Sequence, residues 1–288
     1  MKKAWTLLVI VSVFTWLMGC ASSRSLDGFG KGGSGGGSNF EAGNWAFTTN
    51  GGINGPIYLG GNLSSSGTTV SGNLFVVGDQ GSGFLISTSS IPMPVTGTLN
   101  NGTLTLTGAV SSSSFSMTFT GVSTSGTISS LPSGNYTVTG GTDNGDSGLI
   151  SGVIASSYTG TWQGTDATTA GTVTVAMTEA STSGSPSPIG SYSLSPTSGS
   201  GVTFVGAAGC TVTGTLQSAT SFAAGGFVLL DITTMDNGIA GELQFFGFAN
   251  DPTAPTSLAN SGYLYTGGTG CMLQNNTTNP VSFTLTKQ

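Results

Sequence analysis

The chain has 288 residues, of which only 6% are charged, and it contains no histidine. Five Lys and Arg stand against eleven Asp and Glu, a formal net charge of −6. So few basic residues cannot neutralise phosphates, and they leave no polybasic patch for anionic head groups, so no nucleic-acid partner is expected. Without histidine there is no Ser-His or Cys-His nucleophile pair either.

The N-terminus reads as a processed leader. Lys2 and Lys3 precede an uncharged run from Ala4 to Gly19, which is shorter than the ~20 residues a membrane-spanning helix needs. The run ends at Leu17-Met18-Gly19-Cys20. This resembles the lipobox of bacterial lipoproteins: an aliphatic residue, a variable one, a small one, then cysteine. The resemblance implies diacylglyceryl transfer to the Cys20 thiol, cleavage after Gly19, and a membrane anchor of two or three acyl chains, enough for stable attachment. Residues 1–19 are then the signal peptide, and Arg24, Lys31 and Lys287 remain against eleven acids, a mature charge of −8. Ala21 follows the anchor where aspartate marks inner-membrane retention in enteric bacteria. The expected location is therefore the outer membrane or cell surface.

Residues 20–39 form the lipidated N-terminus and a tether. Its DGFGKGGSGGGS stretch, Asp27 to Ser38, has the composition of a flexible coil.

Beyond the tether the hydrophobic period is two. Leu104 and Leu106; Phe115, Met117 and Phe119; Val173, Val175 and Met177; and Val281, Phe283 and Leu285 each alternate with other residues, mostly Ser and Thr. Such short runs, broken by Gly and Asn, predict antiparallel strands. Asn101-Gly102 and Asn237-Gly238 suit tight hairpin turns, because both residue types accept positive φ. Gly72, Gly97, Gly214 and Gly241 fall on the same face as their flanking aliphatics, where a glycine allows sharp bending or close backbone approach.

An internal repeat organises the body. Gly43-Asn44-Trp45 recurs as Gly160-Thr161-Trp162, Val95–Leu99 recurs identically as Val212–Leu216, and Thr139–Thr142 recurs as Thr266–Thr269. The spacing between the last two landmarks predicts an insertion in the second copy, placed in the Pro-rich stretch from Asn250 to Leu258. The fold class expected is all-β: two tandem antiparallel domains, residues 40–156 and 157–288, as small barrels or alternatively β-sandwiches. The two pentapeptides should occupy equivalent positions, and Trp45 and Trp162 should be core residues.

A strand-opening G-x-W followed by antiparallel hairpins resembles the calycins, the lipocalin and avidin barrels. The resemblance implies an up-and-down barrel whose end is closed by the tryptophan and whose interior takes a small apolar or amphipathic ligand. In lipocalins a basic residue commonly packs on that tryptophan. With Lys and Arg so scarce, no counterpart is expected here.

Cys210 and Cys271 both fall in the second half, and in an oxidising compartment they are expected to form a disulfide. Two thiols and no histidine do not make a metal site, and neither a metal nor a cofactor is expected. The acidic residues that lie near one another are Asp143 with Asp146, and Asp231, Asp236 and Glu242. Such groups can hydrolyse glycosides or ligate calcium, but Asp143–Asp146 and Asp236–Gly238 read first as turns. The leading expectation is a non-enzymatic lipoprotein whose β domains bind a small apolar molecule, a glycan or an envelope protein. The alternatives are a structural or adhesive envelope component and, third, a carboxylate-based glycoside hydrolase.

Overall fold

The computed structural model describes residues 40–50, 56–76, 93–110, 112–123, 125–141, 143–166, 171–178, 192–193, 201–205, 211–216, 221–236, 238–267 and 281–288. Eight strands make the first half: β1 (Gly43–Thr49), β2 (Tyr58–Ser66), β3 (Thr69–Val76), β4 (Met93–Asn100), β5 (Thr103–Val110), β6 (Ser113–Thr120), β7 (Ser130–Thr139) and β8 (Ser147–Ile154). Each pairs antiparallel with the next, and β8 returns to β1 to close the barrel.

Ten strands follow: β9 (Gly160–Asp166), β10 (Gly171–Met177), β11 (Tyr192–Ser193), β12 (Gly201–Val205), β13 (Thr211–Leu216), β14 (Phe222–Ala224), β15 (Phe227–Asp236), β16 (Ile239–Ala249), β17 (Ser257–Gly267) and β18 (Val281–Lys287). Their order runs β11-β14-β15-β13-β12-β10-β9-β18-β17-β16, and β15 also pairs with β16. That pairing closes β9, β10, β12, β13, β15, β16, β17 and β18 into a second eight-stranded barrel, with β11 and β14 as an appendage. Both domains are thus closed antiparallel barrels, not sandwiches, with one strand order. Both belong to one compact unit, Gly36–Gln288.

Alternation decides which face is which. Leu104, Leu106, Phe115, Met117, Phe119 and Val138 are buried inside the first barrel, while Thr107, Ser114, Thr137 and Thr139 are exposed outside. This is the polarity of a barrel in water and the reverse of a membrane-spanning one. Inside, Phe40, Trp45, Phe47 and Phe119 form a file of rings with successive centroids 4.6, 6.0 and 6.1 Å apart.

Trp45 and Trp162 sit in the opening strand of their barrels, both fully buried. Each indole donates to a carbonyl four residues back, Trp45 to Glu41 at 3.0 Å and Trp162 to Tyr158 at 2.9 Å. The expectation that no basic residue packs on either ring fails for Trp162. Lys287 Nζ lies 5.5 Å from that ring's centroid and donates to the Ser157 carbonyl at 3.3 Å. The last strand brings it there: Lys287 is the register partner of Trp162, where Trp45 has Ile154.

The pentapeptides lie in the fourth strand of each barrel but do not overlay. The row of paired residues through Trp45 crosses β4 at Met93, two residues before Val95. The row through Trp162 crosses β13 at Gly214, two residues after Val212. An even slide keeps every side chain on its face, so the pattern survives a change of register.

The insertion also lies elsewhere than expected. Residues 250–256 are the short β16–β17 connection, no longer than residues 121–129 between β6 and β7. The extra chain lies between β13 and β15. In the first barrel, Asn101-Gly102 joins the fourth and fifth strands as a two-residue turn with φ of 49° and 74°. In the second, residues 217–226 make that link and carry β14.

Candidate functional site

The inserted β14–β15 hairpin docks on the outside of the first barrel. Its turn residue, Gly225, has φ +60°, and a Cβ there would stand 2.8 Å from the Ala46 Cα. Gly60 faces it from β2, where a Cβ would fall 2.1 Å from both the C and O of Ala224. Two backbones can approach this closely only because both positions lack side chains.

Asn44 secures the contact. Its Oδ1 accepts from Gly225 N at 2.6 Å, and its Nδ2 donates to Gly225 O at 3.3 Å. The Tyr158 hydroxyl donates to the same carbonyl at 2.9 Å. Asn44 thus pairs with Gly225 as another strand would. Its counterpart in the second copy is Thr161, too short to make both bonds. Between the barrels, Phe75, Ala224, Phe227 and Leu229 form a separate apolar cluster, with Tyr58, Phe246 and Phe248 packed against it.

Beside this cluster lies a cleft of about 80 Å³. Ala46, Thr48 and Tyr58 form the side belonging to the first barrel, and Phe227, Phe248 and Pro252 the side belonging to the second. The Phe248 ring lies 5.2 Å from Phe227 and 6.2 Å from Tyr58, tilted to both. Asp251 precedes Pro252, fully exposed. Its carboxylate accepts from Thr253 Oγ1 at 2.7 Å and Thr253 N at 2.8 Å, and these bonds, the hydroxyl's first, hold it below the usual aspartate value.

A second concavity, about 430 Å³, lies on the outer face of β5, β6 and β7. Thr107, Ser114, Ser116, Thr137 and Thr139 line it with hydroxyls and no charge.

The acidic groups are dispersed. Asp143 and Asp146 belong to the β7–β8 turn, where Asp146 N donates to Asp143 O at 3.0 Å. Asp146 is buried and accepts from the Tyr136 hydroxyl at 3.2 Å. Asp236 ends β15, paired with Ile239 at the start of β16. Asp231 and Glu242 lie on β15 and β16, where Glu242 accepts from Gln244 Nε2 at 2.9 Å. Among the described residues no three His, Cys, Asp or Glu converge as metal ligands would. Gly19, Cys20, Cys210 and Cys271 lie outside the described residues.

The sequence reading looked for a site inside the barrels and missed this cleft. Two signals pointed to it. Phe245 and Phe246 break the alternation of β16, so that strand is apolar on both faces, and Asn replaces Thr between the glycine and tryptophan of the repeated motif. No protein-family model, curated protein sequence or solved structure matches this chain.

Proposed function

We propose that this protein is a lipid-anchored, non-enzymatic binding lipoprotein of the bacterial envelope, held by Cys20 and presenting a ligand cleft where its two barrels meet. The cleft carries the reading. Binding sites favour domain junctions, and this one is lined, among the described residues, by aromatic, aliphatic and small side chains with no carboxylate, amine, imidazole or thiol. Such a wall can hold a molecule but offers no general acid or base near neutral pH. The eight-stranded meander, the G-x-W opening strand and Lys287 over Trp162 support the likeness to calycin barrels. The lipobox at Leu17–Cys20 supports the anchor and an outer-membrane or surface location.

Cys20→Ala tests the anchor. The variant is expected to take up no labelled fatty acid and to leave the detergent phase. Wild-type partitioning with an unchanged mature mass would refute the reading.

The adhesive alternative has an observation of its own. Thr96, Thr107, Ser116 and Thr137 form a cross-strand row of hydroxyls on the outside of the first barrel, passing through the larger groove. Retention of the mature chain on neutral polysaccharide, lost when Ser116 and Thr137 are changed to Glu, would favour it.

A further inference from the structure

We propose that the cleft between the barrels binds a compact organic cation of the quaternary-ammonium class, an inference that rests on the cleft being the binding site. Its size comes first. About 80 Å³ is well below the ~300–1,000 Å³ of sites for drug-sized ligands, so the occupant is a head group of a few heavy atoms.

Its chemistry follows from the wall. Tyr58, Phe227 and Phe248 gather three rings with neighbouring centroids 5.2 and 6.2 Å apart, tilted by 56° and 57°. Ring faces carry negative quadrupole charge and attract a cation, more strongly once it is desolvated. A quaternary ammonium suits such a site because it has no N–H bonds to leave unmade, and the lining offers no paired carboxylate that a primary amine would need.

Charge points the same way. The whole chain carries −6. The one Lys or Arg among the described residues, Lys287, is seated on Trp162. Among the described residues no basic side chain competes for the cleft, and Asp251, kept ionised by its Thr253 bonds, adjoins the lining residue Pro252. The molecule thus already holds one cation, the Lys287 ammonium, against an aromatic ring.

The test uses the mature two-barrel chain and two probes of matched shape, choline chloride and its neutral carbon analogue 3,3-dimethylbutan-1-ol, titrated by calorimetry or ligand-observed NMR. Choline is expected to bind at least tenfold more tightly than the alcohol. Phe248→Leu, which keeps apolar volume but removes a ring, should weaken choline about tenfold and leave the alcohol nearly unchanged. Tyr58→Leu, at a half-buried position, should act in the same direction. Asp251→Asn, on an exposed turn, should weaken choline several-fold at low salt and less at high salt. Equal affinity for the two probes would overturn the proposal while leaving the cleft as a binding site for neutral molecules. Binding of neither would overturn both the proposal and the choice of cleft.

Discussion

Adding one methyl group at Gly60 should separate the barrels without unfolding either. Gly60 has no positive φ to lose, so alanine is acceptable to its backbone. The obstacle is steric: the new Cβ would stand 2.1 Å from the Ala224 carbonyl and 2.3 Å from Gly225 N. Contacts of that kind relax to about 3.5 Å, so the hairpin must withdraw by more than 1 Å, about the whole tolerance of a hydrogen bond. Both Asn44 bonds to Gly225 and the one from Tyr158 would be lost. At ~0.5–1.5 kcal/mol net apiece, the junction should weaken by about 2–4 kcal/mol. Native-state hydrogen exchange reads this directly. The Gly225 amide, which donates to Asn44 across the junction, should lose protection in Gly60→Ala, while Leu104 and Phe119 inside the first barrel keep theirs. Gly97→Ala is the contrasting variant, because its Cβ would strike the Thr105 carbonyl at 1.7 Å and so disturb the first barrel itself. If Gly60→Ala preserves protection at Gly225, or loses it equally throughout the first barrel, the hairpin does not act as the clasp.

Trp45→Ala and Trp162→Ala should each cost about 3–5 kcal/mol, and each should weaken mainly its own barrel in domain-resolved unfolding. Thr234 is fully buried and, among the described residues, its hydroxyl has no hydrogen-bond partner; Thr234→Val should therefore stabilise the second barrel by about 1 kcal/mol or more, and a loss of stability on thermal unfolding would contradict that account. Burial first, then the Asp146 charge and hydrogen bond, outweigh a lowering bond from Thr49 and hold the Tyr136 phenol above its ordinary value of 10. The neutral form is thus favoured by folding, so its contribution is complete below pH 10 and lost as pH rises through the raised folded value; Tyr136→Phe should abolish that alkaline loss in chemical denaturation. Cys210 and Cys271 are expected to resist alkylation until reduced, and two thiols that react freely in the native protein would exclude the disulfide.

The local rules were legible in the sequence. Alternation in a strand depends only on parity, so Phe115, Met117 and Phe119 could be assigned to one face without knowing what they would meet. Asn101-Gly102 could be placed in a hairpin because positive φ is a property of the residues themselves. The repeated G-x-W marked two opening strands for the same reason. Tertiary structure decided what parity cannot reach. Whether eight strands close or stack depends on accumulated twist and curvature over the whole sheet, and only the return of β8 to β1 and of β18 to β9 distinguishes barrel from sandwich. The slide of Val95–Leu99 against Val212–Leu216 is invisible to a pattern that repeats every two residues. Asn44 meets Gly225 across 181 residues of chain, a contact set by an inserted hairpin whose docking depends on two missing Cβ atoms. Lys287 reaches Trp162 because barrel closure makes the last strand a neighbour of the first, a proximity that no local signal in the chain encodes.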